Sequence, residues 1–301
     1  MKVSADALNP AAISEKSWSA VFADLTKARL TTLVLLTTFV GFYLGWQHGP
    51  MNFLLMFHTL LGTGLVAAGA AALNQLLERD YDAKMRRTQN RPLPSGRLQP
   101  TTVMLFGGIC SVVGLIYLAL LVNLLTSVIG AVTLASYLFI YTPLKRVTWT
   151  NTLVGAIPGA LPPLMGWTAA RNELGNEGWA LFAILAFWQL PHFFAIAWMY
   201  RDEYAKAGFV MLPNVDADGT RTGQQAVSNT IALMIVSLCP YIFGISGRPY
   251  LVCALVLGVG FLFFAIQFSR QLTVARARQL FFVSIIYLPL LLAAMCWDKL
   301  K

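Results

Sequence analysis

The sequence predicts an all-α polytopic membrane protein, in which about nine transmembrane helices form two four-helix halves plus a final helix around a central cavity. Three observations carry this. Of the 301 residues 57% are hydrophobic and only 12% charged, more apolar than a soluble domain requires. The apolar residues fall into runs of the ~20 that cross a bilayer as a helix. Two acid-rich segments recur four runs apart, as in a bundle built from related halves with a site at their interface.

The runs, in order, are 30–47, 52–77, 101–121, 124–142, 150–169, 178–200, 227–245, 249–268 and 280–297. The second leads into Asn74-Gln-Leu-Leu-Glu78-Arg-Asp80-Tyr-Asp82, and the sixth into Arg201-Asp202-Glu203-Tyr204. The fifth is the weakest, because Pro158, Pro162 and Pro163 interrupt it. Backbone groups freed by those prolines are tolerable only where they are buried or line a cavity. Residues 1–29 read as an N-terminal cytoplasmic tail and 30–298 as a single transmembrane domain. The tail lacks an early apolar stretch, so no cleaved signal peptide is expected.

Charge orients the bundle. With nine spans and a cytoplasmic N-terminus, 18 of the 22 Lys and Arg fall on the inner side, leaving Arg171, Arg248, Lys299 and Lys301 outside. This is the positive-inside pattern, and a bacterial inner membrane is the simplest location. The net charge of +9 is therefore an orientation signal with local anion sites; no basic domain outside the membrane suggests nucleic acid. Cys110, Cys239, Cys253 and Cys296 all lie in apolar runs without metal-ligand spacing.

Seven of the thirteen acidic residues are Glu78, Asp80, Asp82, Asp202, Glu203, Asp216 and Asp218, in or beside the two acid-rich loops. Carboxylates at a membrane edge are costly and point to function. Asn74, Glu78 and Asp82 recur at i, i+4 and i+8 and share one helix face. Acids at a helix C-terminus oppose its dipole and call for a cation. Mg2+ suits them, because it takes a few carboxylate or amide oxygens and completes its shell with water and substrate phosphate. The basic residues that follow, Lys84, Arg86, Arg87 and Arg91, supply forks that match phosphate oxygens.

The run Asn74-x-x-x-Glu78-Arg-Asp-x-Asp82-x-x-x-x-Arg87-Thr-x-x-Arg91-Pro-Leu-Pro-x-Gly96 resembles the aspartate-rich motif of the UbiA superfamily of intramembrane prenyltransferases. Gln75 and Glu78 replace two of its usual acids; Glu78 keeps a hard oxygen ligand, whereas Gln75 loses a charge. Three further blocks resemble the protoheme IX farnesyltransferase (heme O synthase) branch of that superfamily. They are Tyr141-Thr-Pro-Leu-Lys145-Arg146, the Gly/Pro-rich stretch from Gly155 to Trp167, and Trp188-Gln-x-Pro191-His192-Phe193 running on to Arg201-Asp202-Glu203-Tyr204.

The resemblance implies Mg2+-dependent transfer of farnesyl from farnesyl diphosphate to a vinyl group of heme B, with addition of water, giving heme O. Asn74, Glu78, Asp82 and an acid at Asp202 or Glu203 would hold the metal. Arg87, Arg91, Lys145, Arg146 and Arg201 would bind the diphosphate. Heme B is then a substrate, and a heme A synthase or terminal oxidase assembly is an implied partner. His192 suits three roles: contact with a heme propionate, ligation of heme iron, or proton handling near the vinyl group. His48 and His58 need only interface or packing roles. Two rival readings stand beside this one. A prenyltransferase acting on an aromatic quinone precursor shares the metal motif, and a transporter would use the acids as coupling sites.

Overall fold

The computed structural model describes residues 17–47 and 49–300. Lys2, Lys16, His48 and Lys301 lie outside the described residues, as does most of the expected tail. In chain order the helices are α1 (Trp18–Leu25), α2 (Ala28–Gly45), α3 (Phe53–Asp82), α4 (Pro100–Leu121), α5 (Leu124–Ala135), α6 (Thr142–Leu144) and α7 (Asn151–Arg171). They continue as α8 (Asn176–Met199), α9 (Arg201–Ala207), α10 (Leu212–Val215), α11 (Thr220–Val236), α12 (Cys239–Ile242), α13 (Arg248–Arg270) and α14 (Val274–Trp297). A π-helical turn, Ser136–Tyr141, joins α5 to α6.

Among the described residues, nine helices are long and apolar enough to cross a membrane, the fourth running through the π turn and the seventh through α12. Their starts follow local rules. Asn52, Asn123 and Thr273 cap α3, α5 and α14 with side-chain oxygens, and Pro100 and Pro249 open α4 and α13. Leu33, Leu105, Val256 and Ile286 point outward, as lipid-facing positions do.

The interrupted fifth run is one continuous helix, and it is the innermost. Of its membrane window 72% is buried, against 28% for α3 or α4. α7 packs on α2, α5 and α8, while α8 in turn packs on α11 and α14. Lipid is as apolar as a leucine side chain, so close backbone approach drives this association. A Cβ at Gly41 would collide with the Pro163 carbonyl, and one at Gly166 with the Thr38 carbonyl, so α2 and α7 touch backbone to backbone. Burial also explains why three prolines are tolerated in one helix.

The stretch read as a tail is helical over Trp18–Leu25. Val21 and Leu25 are buried against Leu93, Leu98 and Val103, and Gln75 Nε2 donates to the carbonyls of Asp24 and Leu25 at 2.9 and 2.7 Å. Gln75 thus ends α1. The apolar residues of α1 recur one helical turn apart, too few for a span but enough to dock on the bundle.

Candidate active site

α3 has 30 residues, about 45 Å, more than a bilayer core needs. Its last turns carry the first acidic motif as helix, not loop. Asn74, Glu78 and Asp82 are all buried, while Asp80 on the opposite face is exposed and pairs with Arg79 at 3.3 Å. Each buried acceptor faces a different cation. Lys27 Nζ is 2.8 Å from Asn74 Oδ1, Lys145 Nζ is 2.7 Å from Glu78 Oε1, and Arg91 Nη1 is 2.6 Å from Asp82 Oδ2. Asn74 Nδ2 donates to Thr142 Oγ1, which leaves its carbonyl oxygen turned to Lys27.

Lys27 was legible from sequence only as an orienting charge. It stands in left-handed backbone, φ 49°, immediately before α2, a conformation costing a non-glycine residue about 1 kcal/mol. That bend sends its side chain inward, to Asn74 and to Tyr137 Oη at 3.4 Å. Burial, and then Arg91 nearby, push its ammonium down to about 7. Lys145 goes the other way: burial works against its charge, but the Glu78 carboxylate together with Tyr141 and Tyr137 outweighs it and holds the pKa above the ordinary lysine value.

The π turn sets Tyr137 and Tyr141 side by side, ring centroids 5.7 Å apart, with Lys145 Nζ 4.5 Å over the Tyr141 ring. A π turn inserted in an α-helix is a frequent mark of a functional site. Gly155 on α7 lies flat against Tyr141, where a Cβ would meet the ring at 2.5 Å.

The second motif folds onto the first. α9 stops at Gly208 in left-handed backbone, φ 81°, and Phe209 then packs with Met85, Ala197, Ala207 and Met211 beneath Tyr81 and Tyr204. Val210 N donates to Lys145 O at 2.7 Å, and Asn151 Nδ2 donates to Val210 O at 2.7 Å. Arg87 Nη2 donates to Tyr204 Oη at 3.2 Å. Arg146 lies 4.0 Å over the Tyr81 ring and donates to Leu77 O. The two motifs therefore share one wall, as their spacing suggested.

Not every expected residue joins them. Asp202 has an 87% exposed side chain, 3.7 Å from Arg201, and Arg201 lies over Trp198 at 4.8 Å. Both are exposed, whereas Glu203, about 100° further round α9, is partly buried. Glu203 turns inward, and its buried Oε2 has no hydrogen-bond partner. Asp216 and Asp218 have local duties: Asp216 Oδ2 accepts from Thr222 N at 2.7 Å, and Asp218 Oδ1 from Thr220 N at 3.1 Å, where α11 begins. His58 Nδ1 is 2.7 Å from Tyr117 Oη, a packing role. His192 lies on α8, partly buried, against Ser284 of α14.

Among the described residues no three acidic, cysteine or histidine side chains converge as a ready metal cage. The donors nonetheless fit Mg2+, which takes one or two protein carboxylates and fills its remaining positions with water and phosphate. Glu78, Asp82 and the Asn74 carbonyl offer hard oxygens on one face, and Glu203 Oε2 is a buried oxygen without a hydrogen-bond partner.

Residues 34–286 match the UbiA prenyltransferase family. The chain is 49% identical over 286 residues to the protoheme IX farnesyltransferase of Solibacter usitatus, covering 92% of this chain and 98% of that protein. It is 43% identical over 287 residues to the protoheme IX farnesyltransferase of Koribacter versatilis, covering 92% and 93%. In fold it resembles a digeranylgeranylglyceryl phosphate synthase, with a TM-score of 0.79 at 17% identity, covering 93% of this chain and 98% of that one. It also resembles a UbiA homolog from Archaeoglobus fulgidus bound to DMAPP and Mg2+, with a TM-score of 0.67 at 16% identity, covering 91% and 98%. The family match over most of the chain, together with relatives 49% and 43% identical along nearly their whole length, shows that the chain belongs to the UbiA prenyltransferase family as a multi-pass membrane enzyme.

Proposed function

We propose that this enzyme transfers the farnesyl group of farnesyl diphosphate to a vinyl group of heme B, with addition of water, giving heme O. Membership of a prenyltransferase family removes the transporter reading. The shared name of the relatives favours heme over an aromatic quinone precursor as acceptor. The observation that carries the chemistry is the matched face, with Asn74, Glu78 and Asp82 set against Lys27, Lys145 and Arg91.

Asn74, Glu78, Asp82 and Glu203 would hold Mg2+, with Asp202 outside the set. When bound, Mg2+ neutralises charge that builds on the departing diphosphate. Arg87, Arg91, Lys145 and Lys27 would take its oxygens, and their charge is strongest in a site closed to water. The carbon–oxygen bond breaks with its electron pair going to diphosphate. The vinyl π electrons form the new carbon–carbon bond, and water supplies hydroxyl to the resulting cation and releases a proton. Tyr137 and Tyr141 present π faces that stabilise an allylic cation. The positive-inside pattern supports a cytoplasmic N-terminus and a site opening to that side of the inner membrane.

Incubation of the purified protein with heme B, farnesyl diphosphate and Mg2+, read by mass spectrometry of the porphyrins, tests this. A product heavier by farnesyl plus water, lost with EDTA and in Asp82→Ala, is expected. Unchanged heme from a protein that still binds farnesyl diphosphate overturns the choice of acceptor.

A further inference from the structure

A second polar constellation lies on α8 and α14, away from the acids. His192 Nδ1 is 2.7 Å from Ser284 Oγ, and Ser284 Oγ is 2.6 Å from the Phe281 carbonyl. A hydroxyl has one proton, and the carbonyl can only accept it, so Ser284 donates to Phe281 and accepts from His192 Nδ1–H. The network thereby assigns the tautomer and leaves Nε2 with its lone pair. Trp188 Nε1 donates to the Ser284 carbonyl at 2.8 Å, pinning the same turn. The imidazole is clasped between Trp188, centroids 5.1 Å apart, and Phe281, 4.9 Å apart. Among the described residues Nε2 has no hydrogen-bond partner. A histidine that serves packing alone does not need its ring, its tautomer and its partner's backbone all fixed.

The same Phe281 lines a cavity of about 210 Å³ nearer the acid end, with Met199, Tyr200, Phe282 and Arg278. Arg278 is exposed and, among the described residues, has no ion-pair or hydrogen-bond partner. It lies six residues before Ser284 on α14, about 9 Å along the axis and about 120° round it. Tyr200 ties this cavity to the diphosphate wall, because the Arg87 guanidinium lies 5.6 Å over its ring while also bonding Tyr204.

We infer that the seam between α8 and α14 is the acceptor site, with His192 Nε2 taking the iron of the porphyrin and Arg278 a propionate carboxylate. This rests on the proposed function and places its second substrate. The site joins the donor site through Tyr200 and Arg87, so a planar macrocycle seated there extends toward the carbon that loses diphosphate. An aromatic lining with one fixed nitrogen and one guanidinium also selects for a metallated, carboxylate-bearing ring over a simple phenol.

The test titrates the full-length protein in nanodiscs with three probes: ferric protoporphyrin, metal-free protoporphyrin and the dimethyl ester of the metal-free compound. Retained binding of inorganic pyrophosphate with Mg2+ reports that each variant is folded. His192→Leu is expected to abolish the nitrogen-ligated absorption spectrum and to weaken only the iron form, by roughly tenfold or more. Arg278→Gln is expected to weaken the free diacid by about tenfold and leave the ester unchanged. If folded variants bind all three probes like the parent while the parent forms product, the acceptor sits elsewhere and the proposed function stands. If the parent neither binds porphyrin nor forms product, the acceptor reading falls along with this site.

Discussion

Lys27 and Asn74, 47 residues apart, meet through a 2.8 Å contact that joins the start of the first membrane helix to the first donor of the acid face. The contact exists because the chain turns left-handed at Lys27 and drives a lysine into the bundle. Lys27→Met should therefore weaken binding of inorganic pyrophosphate with Mg2+ by about ten- to a hundredfold, the loss of a charge-assisted contact. Stability should hold or rise, since a buried ammonium is replaced by an apolar chain of similar length. Calorimetric titration beside a thermal melt checks both; an unchanged pyrophosphate affinity contradicts a role for Lys27 at the diphosphate.

The two acids of the second motif should separate cleanly. Glu203→Gln is expected to lower kcat about 10²-fold or more, whereas Asp202→Asn should stay within about twofold, because one carboxylate has a buried oxygen without a hydrogen-bond partner and the other is solvated beside Arg201. Steady-state kinetics on both variants decides it, and equal losses would remove the distinction.

Removing Glu78 as an anion should be worse than removing it as a ligand alone. Glu78→Gln leaves Lys145 buried beside a neutral amide, and such an uncompensated charge costs about 3–5 kcal/mol. Glu78→Gln combined with Lys145→Met should recover thermal stability without recovering activity. A double variant no more stable than the single one would show that the pair is not coupled.

Gly41→Leu should disrupt the fold far from the chemistry. A side chain there enters the Pro163 carbonyl, so α2 and α7 must part, at about 1–3 kcal/mol or more. Gly108→Leu, where a Cβ meets nothing within 4 Å, is the matched control and should melt like the parent. Fluorescence-detected gel filtration after heating compares them.

Hydropathy, charge bias and the i, i+4, i+8 spacing are local properties, so the sequence alone determined the nine helices, among the described residues, that are long and apolar enough to cross a membrane, the shared face of Asn74, Glu78 and Asp82, and the family to which they belong. Spacing also suggested that the two distant motifs belong together, and the packing of Phe209 with Tyr81 and Tyr204 brings them side by side. The fifth run looked weak because proline rules are written for helices whose carbonyls face a poor partner, and here the bundle itself surrounds α7. Which cation meets which acceptor, that Glu203 and not Asp202 turns inward, and that Ser284 fixes the ring of His192 were decided only by the tertiary structure. Lys145 and Glu78 lie 67 residues apart, and His192 and Ser284 lie 92 apart. Helical period dictates the face a side chain occupies, but its partner across the bundle depends on how every intervening helix packs.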